Sequence, residues 1–171
     1  MRSLRLYVAG KVSANSSFGT HYWRDEFCSR LSSLSGLNVI NLDPTKNGVQ
    51  DRSPHIIFGA DAYMIKGCDV LLVYLSDDIS VGGSQEILIA KYFNKPVIGL
   101  APLGDKFNGG RKEHFGHVIE EYKDPFVFST CDYVFGTIEE AARGLKDIHK
   151  KPPKGIRLID EYIEEYLSIA S

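Results

Sequence analysis

The stretch DVLLVYLSDDISVGGSQEILIAKYFNKPVIGLAP, residues 69–102, holds two apolar runs, DVLLVYL (69–75) and KPVIGLAP (95–102), on either side of a helical pattern. Neither run alternates polar with apolar. Continuous apolar character over this length marks strands covered on both faces, which are parallel strands. Between them, residues 83–93 bring Ile87, Ile89 and Ala90 to one side of a helix that packs on the sheet.

Working outward, LRLYVAG (4–10) and LNVINLD (37–43) repeat the strand form. Helical spacing recurs over 20–34, with Trp23, Phe27, Leu31 and Leu34 on one stripe, and over about 55–66. Strand and helix alternate, which predicts an α/β fold: a doubly wound, Rossmann-like (flavodoxin-like) parallel five-stranded sheet flanked by helices.

The last third is less regular. PLGDKFNGGRKEHF (102–115) is glycine-rich and long for a connection, and reads as a lid or an insertion. FVFSTCDYVF (126–135) reads as a strand pair or a broken strand. Thr137 and Glu140 stand at capping-box spacing and open a helix over 137–149. After KKPPKG, residues 156–170 carry Ile159, Tyr162, Ile163, Tyr166 and Leu167 along one stripe, a helix expected to dock on its own domain or on a second subunit.

At 171 residues the chain has the length of one domain. A hydrophobic content of 43%, a charged content of 25% and a net charge of −2 give no bias toward nucleic acid or an anionic membrane. No run approaches the ~18 apolar residues of a membrane span, and the amino terminus is too short in apolar residues for a signal peptide. Cys28, Cys68 and Cys131 sit in apolar segments without metal-type spacing, as reduced thiols of a cytoplasmic protein do. The five histidines form no metal-binding pair, and the glycines match neither a dinucleotide fingerprint nor a P-loop.

In an open α/β sheet, ligands bind beyond the carboxyl ends of the strands. The loops there carry Lys11, Ser13, Asn15, Ser16, Ser17, Asp43, Asp77, Asp78, Ser80 and Ser84, with Tyr7 just before the first and Glu86 just after the third. Glu86 reads as a first-turn residue whose ionised form the helix dipole favours, a role that structure alone would also explain. Gly82 and Gly83 permit close approach of the backbone to a ligand. Asp69 reads as a backbone tether, Asp61 as a helix acid and Tyr7 as a core aromatic.

Three segments in order, YVAGKV (7–12), DAYMIKGCDVLLVYL (61–75) and SVGGSQEILIAKYFNKPVIGL (80–100), resemble the nucleoside 2-deoxyribosyltransferase superfamily, which includes the 2′-deoxynucleoside 5′-monophosphate N-glycosidases. The resemblance runs from about residue 4 to residue 102, with a looser echo at 131–145. It implies that Glu86 is the nucleophile toward the anomeric carbon, that Asp61 assists departure of the base and that Tyr7 orients the nucleophile. Ser80 stands where the deoxyribosyltransferases proper have an aspartate, and a hydroxyl there suits a phosphate that a carboxylate would repel. Gly10, Lys11 and Ser13 would line the substrate, with Lys11 replacing an arginine absent at Ser13.

The resemblance further implies a homodimer or higher homo-oligomer whose neighbouring subunit completes the pocket from about 108–118, through His117 or with no counterpart. It implies a nucleotide or nucleoside substrate and no cofactor. Three functions follow: hydrolysis of a nucleoside monophosphate, base exchange by a deoxyribosyltransferase, or nucleotide sensing without turnover. The PGGxGTxxE motif of phosphoribohydrolases is not met by SVGGSQEI (80–87).

Overall fold

The computed structural model describes residues 2–10, 23–75 and 79–170. Its elements run β1 (Ser3–Ala9), α1 (Trp23–Ser35), β2 (Asn38–Leu42), α2 (Pro54–Gly67), β3 (Val70–Tyr74), α3 (Val81–Tyr92) and β4 (Val97–Leu100). There follow β5 (Asn108–His114), β6 (His117–Lys123), α4 (Pro125–Thr130), β7 (Tyr133–Phe135), α5 (Ile138–Leu145) and α6 (Leu158–Ala170). Five strands form a parallel sheet in the order β2-β1-β3-β4-β7, the doubly wound arrangement expected.

The register explains why these strands are apolar throughout. In β1, Leu4, Leu6 and Val8 face α1 and α5, packing with Trp23, Phe27, Leu31, Ala141 and Leu145. The intervening Tyr7 and Ala9 face the opposite layer with Ile65 of α2 and Ile87 and Ala90 of α3. The same alternation divides β3, where Val70 and Leu72 serve one layer and Leu71 and Val73 the other. Asp69 does tether β1: its carboxylate accepts from the Arg5 amide at 2.8 Å and from the Arg5 guanidinium at 2.9 Å. Thr137 and Glu140 form the expected capping box at the start of α5.

Two expectations change, at Leu34 and at residues 126–135. Leu34 is 42% exposed, and Ser35 takes the last buried place on α1. Residues 126–135 lie in a helix and one strand instead of a strand pair or a broken strand. Asp124 accepts from the amides of Phe126 and Val127, both at 3.0 Å, and Pro125 holds the first helical position, so capping chemistry overrides the β-preference of FVF. The glycine-rich stretch continues into an antiparallel hairpin, β5 with β6, closed by Phe115 and Gly116 at positive φ. Helix α6 buries only Leu158 and leaves Tyr162, Ile163, Tyr166 and Leu167 exposed.

All three cysteines are free and buried. Burial pushes the thiols of Cys28 and Cys131 up to about 12 and that of Cys68 to about 11, which keeps them protonated and unreactive. Among the described residues no helix is long and apolar enough to cross a membrane.

Candidate active site

Tyr7 lies on the α2–α3 face of β1, fully buried, and this side of the strand decides what it meets. Its hydroxyl donates to Glu86 Oε1 at 2.7 Å, across 79 residues of sequence. Asp61, from α2, is close enough for its charge to act on both groups. Asn47, in the loop after β2, donates to Asp61 Oδ1 at 3.2 Å. Two carboxyl groups and a phenol thus converge near the carboxyl end of β1, the end of an open α/β sheet at which ligands bind.

The electrostatics follow from burial. The Glu86 carboxyl lies above its usual range: burial is the main cause, Asp61 adds to it, and the Tyr7 bond and the charge of Arg24 oppose it. Burial raises Asp61 as well. Tyr7 is raised by burial first and then by the two acids, so it stays a hydrogen-bond donor. The expectation of a depressed Glu86 is therefore corrected. Ser80 caps α3 and Val81 begins it, which puts Glu86 in the second turn, beyond the stretch where the helix dipole acts strongly.

Ser80 holds this helix start by accepting from the Gly83 amide at 3.0 Å. A Cβ on Gly83 would come within 3.2 Å of Ser80 Oγ and 3.3 Å of Ile79 Cγ1, so glycine is what lets the cap close. Gly82 is exposed, and a Cβ there would come no nearer than 3.9 Å to Ser80 Oγ. Gly10 is packed: a Cβ would meet the Trp23 ring at 3.1 Å. Lys11 and Ser13 lie outside the described residues, as do Asn15, Ser16, Ser17, Asp77 and Asp78. His117 is exposed on β6, at the turn of the hairpin.

Two residues that sequence reading passed over join the cluster. Asn47 sat in an unassigned loop. Arg24 sits on the apolar stripe of α1, only 1% exposed, with Nε donating to the Val8 carbonyl at 2.9 Å and Nη2 to that of Gly10 at 2.8 Å. A cation one residue past Trp23, at helical spacing from Phe27, Cys28 and Leu31, was the available signal.

The chain superposes on a 2-deoxyribosyltransferase from Leishmania mexicana with a TM-score of 0.56 at 21% identity, over 86% of this chain and 99% of the other. It has the 2-deoxyribosyltransferase fold. A 2-deoxyribosyltransferase from Bacillus psychrosaccharolyticus gives 0.55 at 17% identity, over 81% and 90%. A conserved protein from Enterococcus faecalis V583 gives 0.62 at 18% identity, over 85% and 98%. No family model and no curated protein sequence matches the chain.

The raised carboxyls in this deoxyribosyltransferase-like sheet carry a prediction. The folded protein holds the protons of Glu86 and Asp61 more tightly than the unfolded chain does. The associated stability is complete below the unfolded carboxylate range and is lost as pH rises through the folded values. Glu86→Gln removes one such group. Its Tm is expected to exceed the native Tm by a few degrees at about pH 8 and to converge with it below about pH 4, read by thermal denaturation in a pH series.

Proposed function

We propose that the protein hydrolyses the N-glycosidic bond of a nucleoside 5′-monophosphate, ribo- or 2′-deoxyribo-, with Glu86 as nucleophile. The observation that carries this reading is the hydrogen bond from Tyr7 to Glu86 with Asp61 beside it, in the 2-deoxyribosyltransferase fold. Ionised Glu86 attacks C1′ as the bond to the base breaks, passing through an oxocarbenium-like state to a glycosyl ester. The bond's electron pair leaves with the base, which takes the proton of Asp61. Water then attacks C1′, releases Glu86 and returns a proton to Asp61.

The active form carries one proton on the carboxyl pair, and the burial that raises Asp61 supports its service as the acid. Tyr7 turns the attacking oxygen toward the sugar. The Ser80 hydroxyl accepts from Gly83 and retains its own proton to donate to a phosphate oxygen. Gly10, Gly82, Gly83, Lys11 and Ser13 complete the proposed substrate contacts.

Two of the similar structures are named 2-deoxyribosyltransferases, which favours base exchange as the second reading. Incubating the purified protein with each common nucleoside monophosphate, with and without a second free base, and separating the products by liquid chromatography tests both. Free base and sugar phosphate support hydrolysis, and an exchanged nucleoside supports transfer. Thermal stabilisation by a nucleotide without product supports a sensor and overturns catalysis.

The working unit in this proposal is a homo-oligomer. A second copy would cover Tyr162, Ile163, Tyr166 and Leu167 of α6 and bring His117 from its hairpin toward the site. Sedimentation equilibrium measures it, and a monomer at micromolar concentration counts against it.

A further inference from the structure

Arg24 is almost wholly enclosed, yet its two hydrogen bonds among the described residues go to carbonyl oxygens rather than to a carboxylate. Its Nη1 is buried without a hydrogen-bond partner among the described residues. A buried guanidinium is costly unless negative charge lies near. The carbonyls it grips, those of Val8 and Gly10, end the strand that carries Tyr7, and Tyr7 holds Glu86. We propose that Arg24 is a positioning residue of this site: it locks the end of β1 and supplies the buried positive charge against which Glu86 is held as a carboxylate.

The charges around the pair can be named element by element. Glu86, on α3, faces Tyr7 from β1, Asp61 from α2 and Arg24 from α1. Arg24 faces Tyr7 and Glu86, and also Asp43 beyond β2 and Cys28 on its own helix. Asp43 is itself buried and spends one oxygen on Thr45, at 2.9 Å to the amide and 2.7 Å to the hydroxyl. Its other oxygen has no hydrogen-bond partner among the described residues and lies 3.9 Å from Lys46 Nζ. Arg24 therefore lies within electrostatic reach of two carboxylates, Asp43 and Glu86, while its hydrogen bonds among the described residues go to backbone carbonyls. Such a charge tunes Glu86 at a distance and leaves its oxygens free for Tyr7 and for a sugar.

The inference rests on Glu86 working as an ionised nucleophile, but its test needs no substrate. The Glu86 carboxyl is followed by carbon-13 NMR through a pH titration, with Glu86→Gln identifying its signal. Arg24→Gln is expected to raise the Glu86 midpoint by roughly one pH unit. Arg24→Lys, which keeps the charge and loses the two-pronged grip, is expected to lower Tm while leaving the midpoint near the native one.

Should Arg24→Gln not fold, the neutral isostere citrulline replaces Arg24 through ligation of a synthetic 1–27 segment to recombinant 28–171 at Cys28. It keeps donors for both carbonyls and removes only the charge. A rise of less than about 0.3 units in a folded neutral variant overturns the proposal. So does a rise in Arg24→Lys equal to that in the neutral variants. Loss of the catalytic reading has a different signature, turnover that survives Glu86→Gln.

Discussion

Glu86→Ala is expected to lower the rate of base release from a nucleoside monophosphate by on the order of 10⁴-fold or more. The magnitude follows from what the side chain does alone. In the proposed reaction the buried carboxylate both offsets the charge of the oxocarbenium-like state and forms the intermediate, while Asp61 is committed to the departing base. Alanine supplies neither function and leaves the Tyr7 hydroxyl without its acceptor, a cost of about 1–3 kcal/mol. Folding must therefore be checked by Tm and binding by thermal shift with nucleotide. Tyr7→Phe keeps the ring in the core and removes only the donor, so its loss should be smaller, about 10- to 100-fold. Product release by Glu86→Ala within tenfold of the native rate would remove Glu86 from the mechanism.

The sheet was legible because its strands are buried on both faces. Each of the runs at residues 4–10, 37–43, 69–75 and 95–102 overlaps an observed strand, and burial of alternate side chains in opposite layers left little room for polar residues. Pairing Tyr7 with Glu86 was not available from periodicity, since β1 alone does not say which of its faces meets α3. The resemblance supplied that pair, and the fold brings it to 2.7 Å.

What escaped reading was governed by single caps and single charges. Ser80 starts α3 two residues ahead of the expected point and so moves Glu86 out of the first turn. Asp124 and Pro125 turn a β-favouring run into α4. Arg24 hides on an apolar stripe because its bonds go to backbone carbonyls, which any sequence possesses. The hairpin β5–β6 is polar and glycine-rich on one strand, so no hydrophobic pattern marked it.

Asp132→Ala is expected to destabilise the protein by about 3–5 kcal/mol, a loss on the order of 10 °C in Tm, although it lies outside the cluster of Tyr7, Asp61 and Glu86. Asp132 forms an ion pair with Lys91 of α3, whose side chain is 0% exposed against 8% for the aspartate. The same carboxylate accepts from the Val97 amide of β4 at 2.7 Å and from the Lys154 amide ahead of α6 at 2.6 Å. One residue thus joins the helix carrying Glu86, a central strand and the approach to the last helix. Alanine would leave two amides without an acceptor and an ammonium enclosed without its counter-charge.

The pH dependence separates these losses. Burial already lowers the Lys91 pKa, and Asp132 opposes that shift. Without Asp132 the lysine gives up its proton more readily in the folded state than in the unfolded chain. Folding of the variant then gains stability as pH rises toward the unfolded lysine value of about 10.4. The deficit against native, measured by urea unfolding, should shrink between about pH 8 and pH 10. Adding Lys91→Met to Asp132→Ala should recover part of the loss at neutral pH and abolish its pH dependence, because only the missing amide bonds remain. A Tm for Asp132→Ala within about 2 °C of native would mean that the lysine finds solvent or another anion, and the node would then contribute little to holding α3 in place.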